Sequence, residues 1–210
     1  MKASHESVFR KGGRRLSFDR SAALREAMLL FWRHGYEGTS LNALTAALGV
    51  TPPSIYTAFG DKKRLFLEAV ALYLSGGPGF DQIVDHAPTA RAAVSQLLAR
   101  AAAGFTGDDT PSGCLLATSA ITGSAESADI QAALAEIRRD IEARLRHLIS
   151  RGVEAGELPA GTDTTALAGL IMAVIQGMST LARDGASRAH LLAIAETAIM
   201  CWPPQEEHTG

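Results

Sequence analysis

Between Thr51 and Phe59 the chain carries hydroxyls and a phenol but no carboxylate, with Ile55 and Phe59 turned inward at a spacing of four. That leaves Pro53, Ser54, Tyr56, Thr57 and Ala58 facing outward. A face meant only for solubility would normally hold charged groups of both signs, so a carboxylate-free surface of this kind suits a groove lined by phosphates. Catalytic chemistry finds little support. The six histidines, His5, His34, His86, His147, His190 and His208, fall in no HxH, HExxH or HxxxH spacing. Phosphate loop, GxSxG elbow and dinucleotide fingerprint are all missing from the sequence, so no catalytic residue, metal ligand or cofactor is assigned.

The elements that must position this surface can be read from local signals. Ser40 is placed to cap a helix whose Leu41, Leu44, Ala47 and Leu48 form an apolar stripe, and Gly49 supplies the positive φ that ends it. Thr51 can then cap a second helix of about two turns, opening on Pro52, which has no N–H to leave unsatisfied. Two short helices joined by Gly49-Val50-Thr51 make a helix-turn-helix. Before it, a helix is predicted from Asp19 to about His34, with Ala22, Ala23, Ala27, Leu30 and Phe31 inward and Gly35 as its stop. After it, Asp61 starts a fourth helix carrying Leu65, Phe66, Ala69, Leu72 and Tyr73, which runs into the Gly/Pro loop of residues 75–79.

The segments FWRHGYEGTS, LTAALGVTPPSIYTAF and GDKKRLF together resemble the DNA-binding domain of the TetR (tetracycline-repressor-like) family of bacterial regulators, over residues 18 to about 70. The resemblance implies that Tyr56 and Lys62 anchor phosphates of a double-stranded DNA operator, with Ser40 and Thr51 adding hydroxyl or helix-terminal amide contacts. Pro52, Pro53, Ser54 and Thr57 lie where base edges and thymine methyls would be touched. Such small groups favour apolar and hydroxyl contacts over arginine–guanine forks. Pro53 stands where many members carry Gly and Ala58 where many carry His, which puts one phosphate or base contact of the commoner pattern in question.

Charge divides along the chain: residues 1–64 carry a net +6 and residues 65–210 a net −8. A basic front on an acidic body is the footprint of a chain that meets a polyanion at one end. Residues 1–17, with Arg10, Lys11, Arg14 and Arg15, read as a flexible basic arm whose Arg14 and Arg15 add contacts to DNA shape. Residues 18–76 form the helix-turn-helix domain, 80–203 a helical ligand-binding and dimerisation domain, and 204–210 a disordered tail. In the larger domain helices are expected near 87–106, 112–124, 128–155, 163–184 and 187–202, and the whole chain is all-α, with no alternating strand pattern.

The helix from Asp163 is apolar nearly all round. Leu167, Leu170, Ile171, Val174, Ile175 and Met178 form one face and Ala166, Gly169, Ala173 and Gly177 a strip of small residues on another, so both sides need cover. The cover is either this subunit or a second copy. The family pairs its last two long helices across a two-fold axis, which assigns Gly169, Ala173, Gly177, Ile194, Ala198 and Trp202 to a homodimer interface. A pocket for a small-molecule effector is assigned to Phe105, Cys114 and Gln176. Gln176 alternatively bonds across helices, and Cys114 is either a reactive thiol at a helix start or a small buried apolar residue. Only two cysteines, a longest apolar run of half a membrane span and no export signal point to a cytoplasmic protein with no membrane partner. The reading that results is a ligand-released homodimeric repressor of a pseudo-palindromic operator, with an activator or a ligand-insensitive DNA-binding protein as the alternative.

Overall fold

The computed structural model describes residues 18–76, 79–119 and 127–204. Ten helices occur among them: α1 (Arg20–Gly38), α2 (Leu41–Leu48), α3 (Pro52–Phe59), α4 (Lys62–Ser75), α5 (Phe80–His86), α6 (Ala90–Phe105), α7 (Leu115–Thr118), α8 (Ala128–Glu154), α9 (Thr164–Arg183) and α10 (Arg188–Met200). The all-α expectation holds.

Local capping chemistry accounts for the starts of most of these helices. The side chains of Asp19, Ser40, Asp61, Thr89, Asp163 and Ser187 each accept from an amide of the first turn. Thr51 does not. Its hydroxyl lies 2.9 Å from that of Ser54, and α3 begins instead on Pro52 and Pro53. In α1 the predicted stop at Gly35 is a break, with φ of 73°, after which the chain completes another turn to Gly38. The buried Thr39 hydroxyl donates to the Gly35 carbonyl at 2.7 Å, capping a group that the break leaves open.

Two apolar cores form. One lies among α6, α8, α9 and α10 around Leu98, Ile149, Ile171, Met178 and Leu191. The other gathers Ala27, Phe31, Leu44, Ile55, Leu65 and Phe66 from α1 to α4, with the Phe31 and Phe66 rings edge-on at 5.1 Å. This second core does not close within residues 18–76. Leu115 and Leu116 of α7 and Ile130 and Leu134 of α8 complete it, so the 27-residue α8 runs out of one core and into the other. At about 1.5 Å per residue that rod is about 40 Å long.

Several expectations need correcting. The helix expected at 112–124 is described only as the four residues of α7, since residues 120–126 lie outside the described ones. The short α5 was not foreseen. Along α8, Arg144 pairs with Asp81 across the α5–α8 groove and not with Asp140 one turn back, with its guanidinium 4.4 Å above the Phe80 ring. An aromatic face and a carboxylate together outweigh an exposed i,i+4 pair worth a few tenths of a kcal/mol, roughly 0.2–0.5.

Candidate nucleic-acid interface

The turn between α2 and α3 is set by one backbone angle. Gly49 has φ of +64° and its N–H bonds back to the Thr45 carbonyl, while a Cβ there would meet nothing within 4 Å. Glycine is therefore required for its conformation and not for space. Ile55 and Phe59 are buried, at 0% and 3% exposure, and fix the inner side of α3. Pro52, Pro53, Tyr56 and Thr57 are exposed, Tyr56 at 51%, and Ser54 and Ala58 are half-buried. The sequence reading placed Ile55 and Phe59 inward and Pro53, Tyr56 and Thr57 outward as found, but Ala58, also read as outward, packs partly against the core.

Hydroxyls at this surface have structural duties as well. Ser40 Oγ accepts from the Ala43 amide at 3.0 Å, and Thr57 Oγ1 donates to the Pro53 carbonyl at 2.8 Å. Ser40 retains its proton for an outside acceptor. Thr57 has spent its own, and its oxygen can now only accept.

Lys62 is the first residue of α4, and its ammonium sits 4.3 Å from the Tyr36 ring centroid. Burial lowers its pKa below the usual lysine value, with the Glu37 carboxylate pulling the other way. A cation at a helix N-terminus is opposed by the dipole, so this ammonium gains from an external anion. Lys63 differs, being ion-paired with Asp129 of α8. Arg14 and Arg15 lie outside the described residues.

Among the described residues, the expected effector residues line neither of the grooves beside α5 and α8. Phe105 is 5% exposed within the larger core, and Gln176 is exposed on α9 beside Ala173 and Gly177. An amide on the outer side of α9 cannot reach into the subunit. Cys114 packs against both cores, its N–H donating to Ser179 Oγ at 2.8 Å and its Sγ accepting from the Tyr73 hydroxyl at 3.4 Å. Burial, then the neighbouring Cys114, hold the Tyr73 phenol protonated far above its usual range, which keeps it a donor. The open space is elsewhere. A groove of about 550 Å³ runs between α5 and α8, lined by residues that include Phe80, Val84, Arg144, His147, Leu148 and Arg151.

Ala173 and Gly177 are exposed, as a strip awaiting a partner should be, and Gly169 and Ile194 are partly so. Ala198 and Trp202 are not. At 9% and 7% exposure they lie in the core of their own subunit, where α10 packs on α6, so they have little surface left for a second copy. Apolar periodicity does not say which side of a helix faces the core of its own subunit. Sequence reasoning also missed the bonds that join the two cores. Trp32 Nε1–H donates to the Gly113 carbonyl at 2.9 Å, and Arg183 reaches Thr118 Oγ1 at 3.0 Å and the Arg33 carbonyl at 3.4 Å. Partners 65 to 150 residues apart leave no local signal.

A helix-turn-helix on a larger helical body, with an outward carboxylate-free second helix, defines a DNA-binding regulator. Residues 23–69 match the bacterial regulatory proteins of the tetR family, and residues 90–198 match the tetracyclin repressor-like C-terminal domain, so this chain belongs to the TetR family. Among its relatives is the HTH-type transcriptional repressor ComR of Escherichia coli (strain K12), 37% identical over 202 residues that cover 95% of this chain and 96% of ComR. The repressor BdcR of the same organism is 28% identical over 191 residues, 89% of this chain and 90% of its own. Among solved structures, a cysteine mutant of the TetR family regulator CifR, complexed with a 26-base-pair double-strand operator DNA, is 43% identical with a TM-score of 0.87, covering 91% of this chain and all of its own.

Proposed function

We propose that this protein is a cytoplasmic homodimeric repressor, without enzymatic activity, that holds a pseudo-palindromic operator through α3 and is released by a small-molecule effector. The observation that carries this reading is the exposed, carboxylate-free face of α3 mounted on a core that α7 and α8 complete. Movement of either helix then moves the domain that holds α3. ComR and BdcR, both repressors by name, support repression over activation. The exposed small residues of α9 support a dimer, which would set two copies of α3 in successive major grooves.

Release by an effector needs only different affinities for two arrangements of α7 and α8. A coupling of about 1–3 kcal/mol changes operator affinity by roughly 5- to 150-fold. The groove between α5 and α8 is the candidate site, since its floor includes the half of α8 opposite to Ile130 and Leu134.

The reading is tested by selecting bound genomic fragments with the full-length protein and titrating the recovered sequence against increasing salt. Nanomolar, sequence-selective binding by a dimer is expected; binding that ignores sequence would overturn it. On that operator Lys62→Ala, and more weakly Tyr56→Phe, lowers affinity for all sequences alike. The Lys62 change also reduces the slope of log K against log salt by about 1. An unchanged slope would remove Lys62 from the phosphate contacts. Deleting residues 1–16 leaves the thermal midpoint in place and weakens binding at physiological salt, because the arm brings Arg10, Lys11, Arg14 and Arg15 to the polyanion. Full affinity after the deletion would strip the arm of that role.

A further inference from the structure

We propose that Arg20 is a positioning residue for DNA reading, acting through the last turn of α3 and touching no DNA itself. Arg20 is the first residue of α1, yet its side chain spans to two other helices. Its Nε–H donates to the Ala58 carbonyl at 3.1 Å, Nη2 holds both carboxylate oxygens of Glu68 in α4 at 2.8 and 2.7 Å, and the guanidinium lies 4.5 Å from the centroid of the Phe59 ring.

Ala58 lies in the last turn of an eight-residue helix, where the carbonyls have no partner further along the helix. One of them, on Tyr56, is taken by the Gly60 amide, and Arg20 takes that of Ala58. A cation here also complements the helix dipole. Ile55 and Phe59 are the fully buried residues of α3, with Ala58 partly buried against the same core, so the helix is anchored along one side and can rock about it. The bond at Ala58 is a third point of support. At about 1.5 Å per residue Pro52 and Pro53 lie roughly 9–10 Å from Phe59, so a tilt of about 10° about that end carries them through about 1.5–2 Å. That exceeds the roughly 0.5 Å width of the hydrogen-bonding range.

Stability is a poor explanation for the cluster. The Arg20 and Glu68 side chains are 41% and 39% exposed, and ion pairs at such exposure contribute little to folding. Aim is the property that Arg20's two contacts on one short helix, to the Ala58 carbonyl and the Phe59 ring, can set.

The test uses the full-length protein and the selected operator beside a scrambled duplex of equal length. Arg20→Met keeps the aliphatic stem beside Phe59 but has no donor. It should bind the operator about tenfold more weakly, as for one mismatched base contact, with affinity for the scrambled duplex and the salt slope unchanged. The charge swap Arg20→Glu with Glu68→Arg restores an ion pair but leaves Ala58 without a donor, so it should keep the wild-type thermal midpoint and not the operator affinity. Glu68→Gln, which leaves Arg20 free to hold Ala58, should bind within about twofold of wild type. Two results would overturn the proposal. If the swap restores operator binding, the ion pair is what matters; if Arg20→Met weakens both duplexes equally and lowers the salt slope by about 1, Arg20 is itself a phosphate contact.

Discussion

Gly113→Ala lowers the thermal midpoint by roughly 6–12 °C, the shift expected of about 3 kcal/mol in a domain of this size. Gly113 has φ of +81°, and a Cβ there would stand 2.8 Å from the Ser179 carbonyl oxygen and 2.8 Å from Arg183 Cγ. The left-handed conformation costs an L-residue about 1–2 kcal/mol, and overpacking against another helix's backbone adds about 1–3. Gly113 also holds three elements together. Its N–H donates to the Phe105 carbonyl of α6 at 3.0 Å, its carbonyl accepts from Trp32 of α1, and the next amide bonds Ser179 of α9. A displaced Gly113 leaves the buried Trp32 N–H without its acceptor.

Gly49→Ala separates strain from collision, because Gly49 has a similar φ of +64° but open space where a Cβ would go. Strain alone, at about 1–2 kcal/mol, predicts a fall of roughly 2–8 °C. Both variants are compared by scanning calorimetry. If Gly113→Ala melts with or above Gly49→Ala, the close approach of α9 to residue 113 is not rigid, and the junction cannot relay movement between the cores.

The contrast between these two glycines also marks what could be read from sequence. Gly49 announced itself because its neighbours, an apolar helix before and Thr51-Pro52 after, are all local. Ser40, Asp61 and Asp163 were legible for the same reason: a cap acts on amides two or three residues away. Gly113 gave no such sign, since what makes it glycine is Ser179 and Arg183, more than sixty residues on. Arg20 was hidden in the same way by partners at 58 and 68. Ala198 and Trp202 failed differently. Their periodicity was right, but period alone does not say whether an apolar side meets its own subunit or another. Phe105 and Gln176 were assigned to a pocket from residue type, and packing put one in the core and the other outside.

The assembly proposed for α9 makes the other large prediction. Ala166, Leu170, Ala173, Gly177 and Leu181 follow one another at spacings of three and four, and all five are exposed. The helix has a mean hydropathy of 1.6 over eighteen residues, long and apolar enough by length and composition to cross a membrane, yet only 39% of that window is buried in the subunit. Leu167, Ile171 and Met178 account for the inner side; the outer side still needs cover. Gly177 is the informative position, since a Cβ there meets nothing within 4 Å, whereas at Gly169 it would lie 3.7 Å from Glu142 Oε1. Within one subunit Gly177→Leu adds its side chain at an exposed position with open space at Cβ and replaces a poor helix former, worth about 0.5–1 kcal/mol in favour of the fold. Across a two-fold axis the same side chain overpacks twice, at about 1–3 kcal/mol each time, raising the dimer dissociation constant at least about thirtyfold. Ala173→Leu acts in the same direction. Operator affinity falls with dimerisation, because a lone subunit holds one half-site without the effective concentration that its partner supplies. The two effects have opposite signs, so misfolding cannot imitate them. Sedimentation, far-ultraviolet melting and operator titration on Gly177→Leu should show a folded monomer that binds DNA weakly. A tight dimer with normal operator binding would move the subunit interface off this stripe.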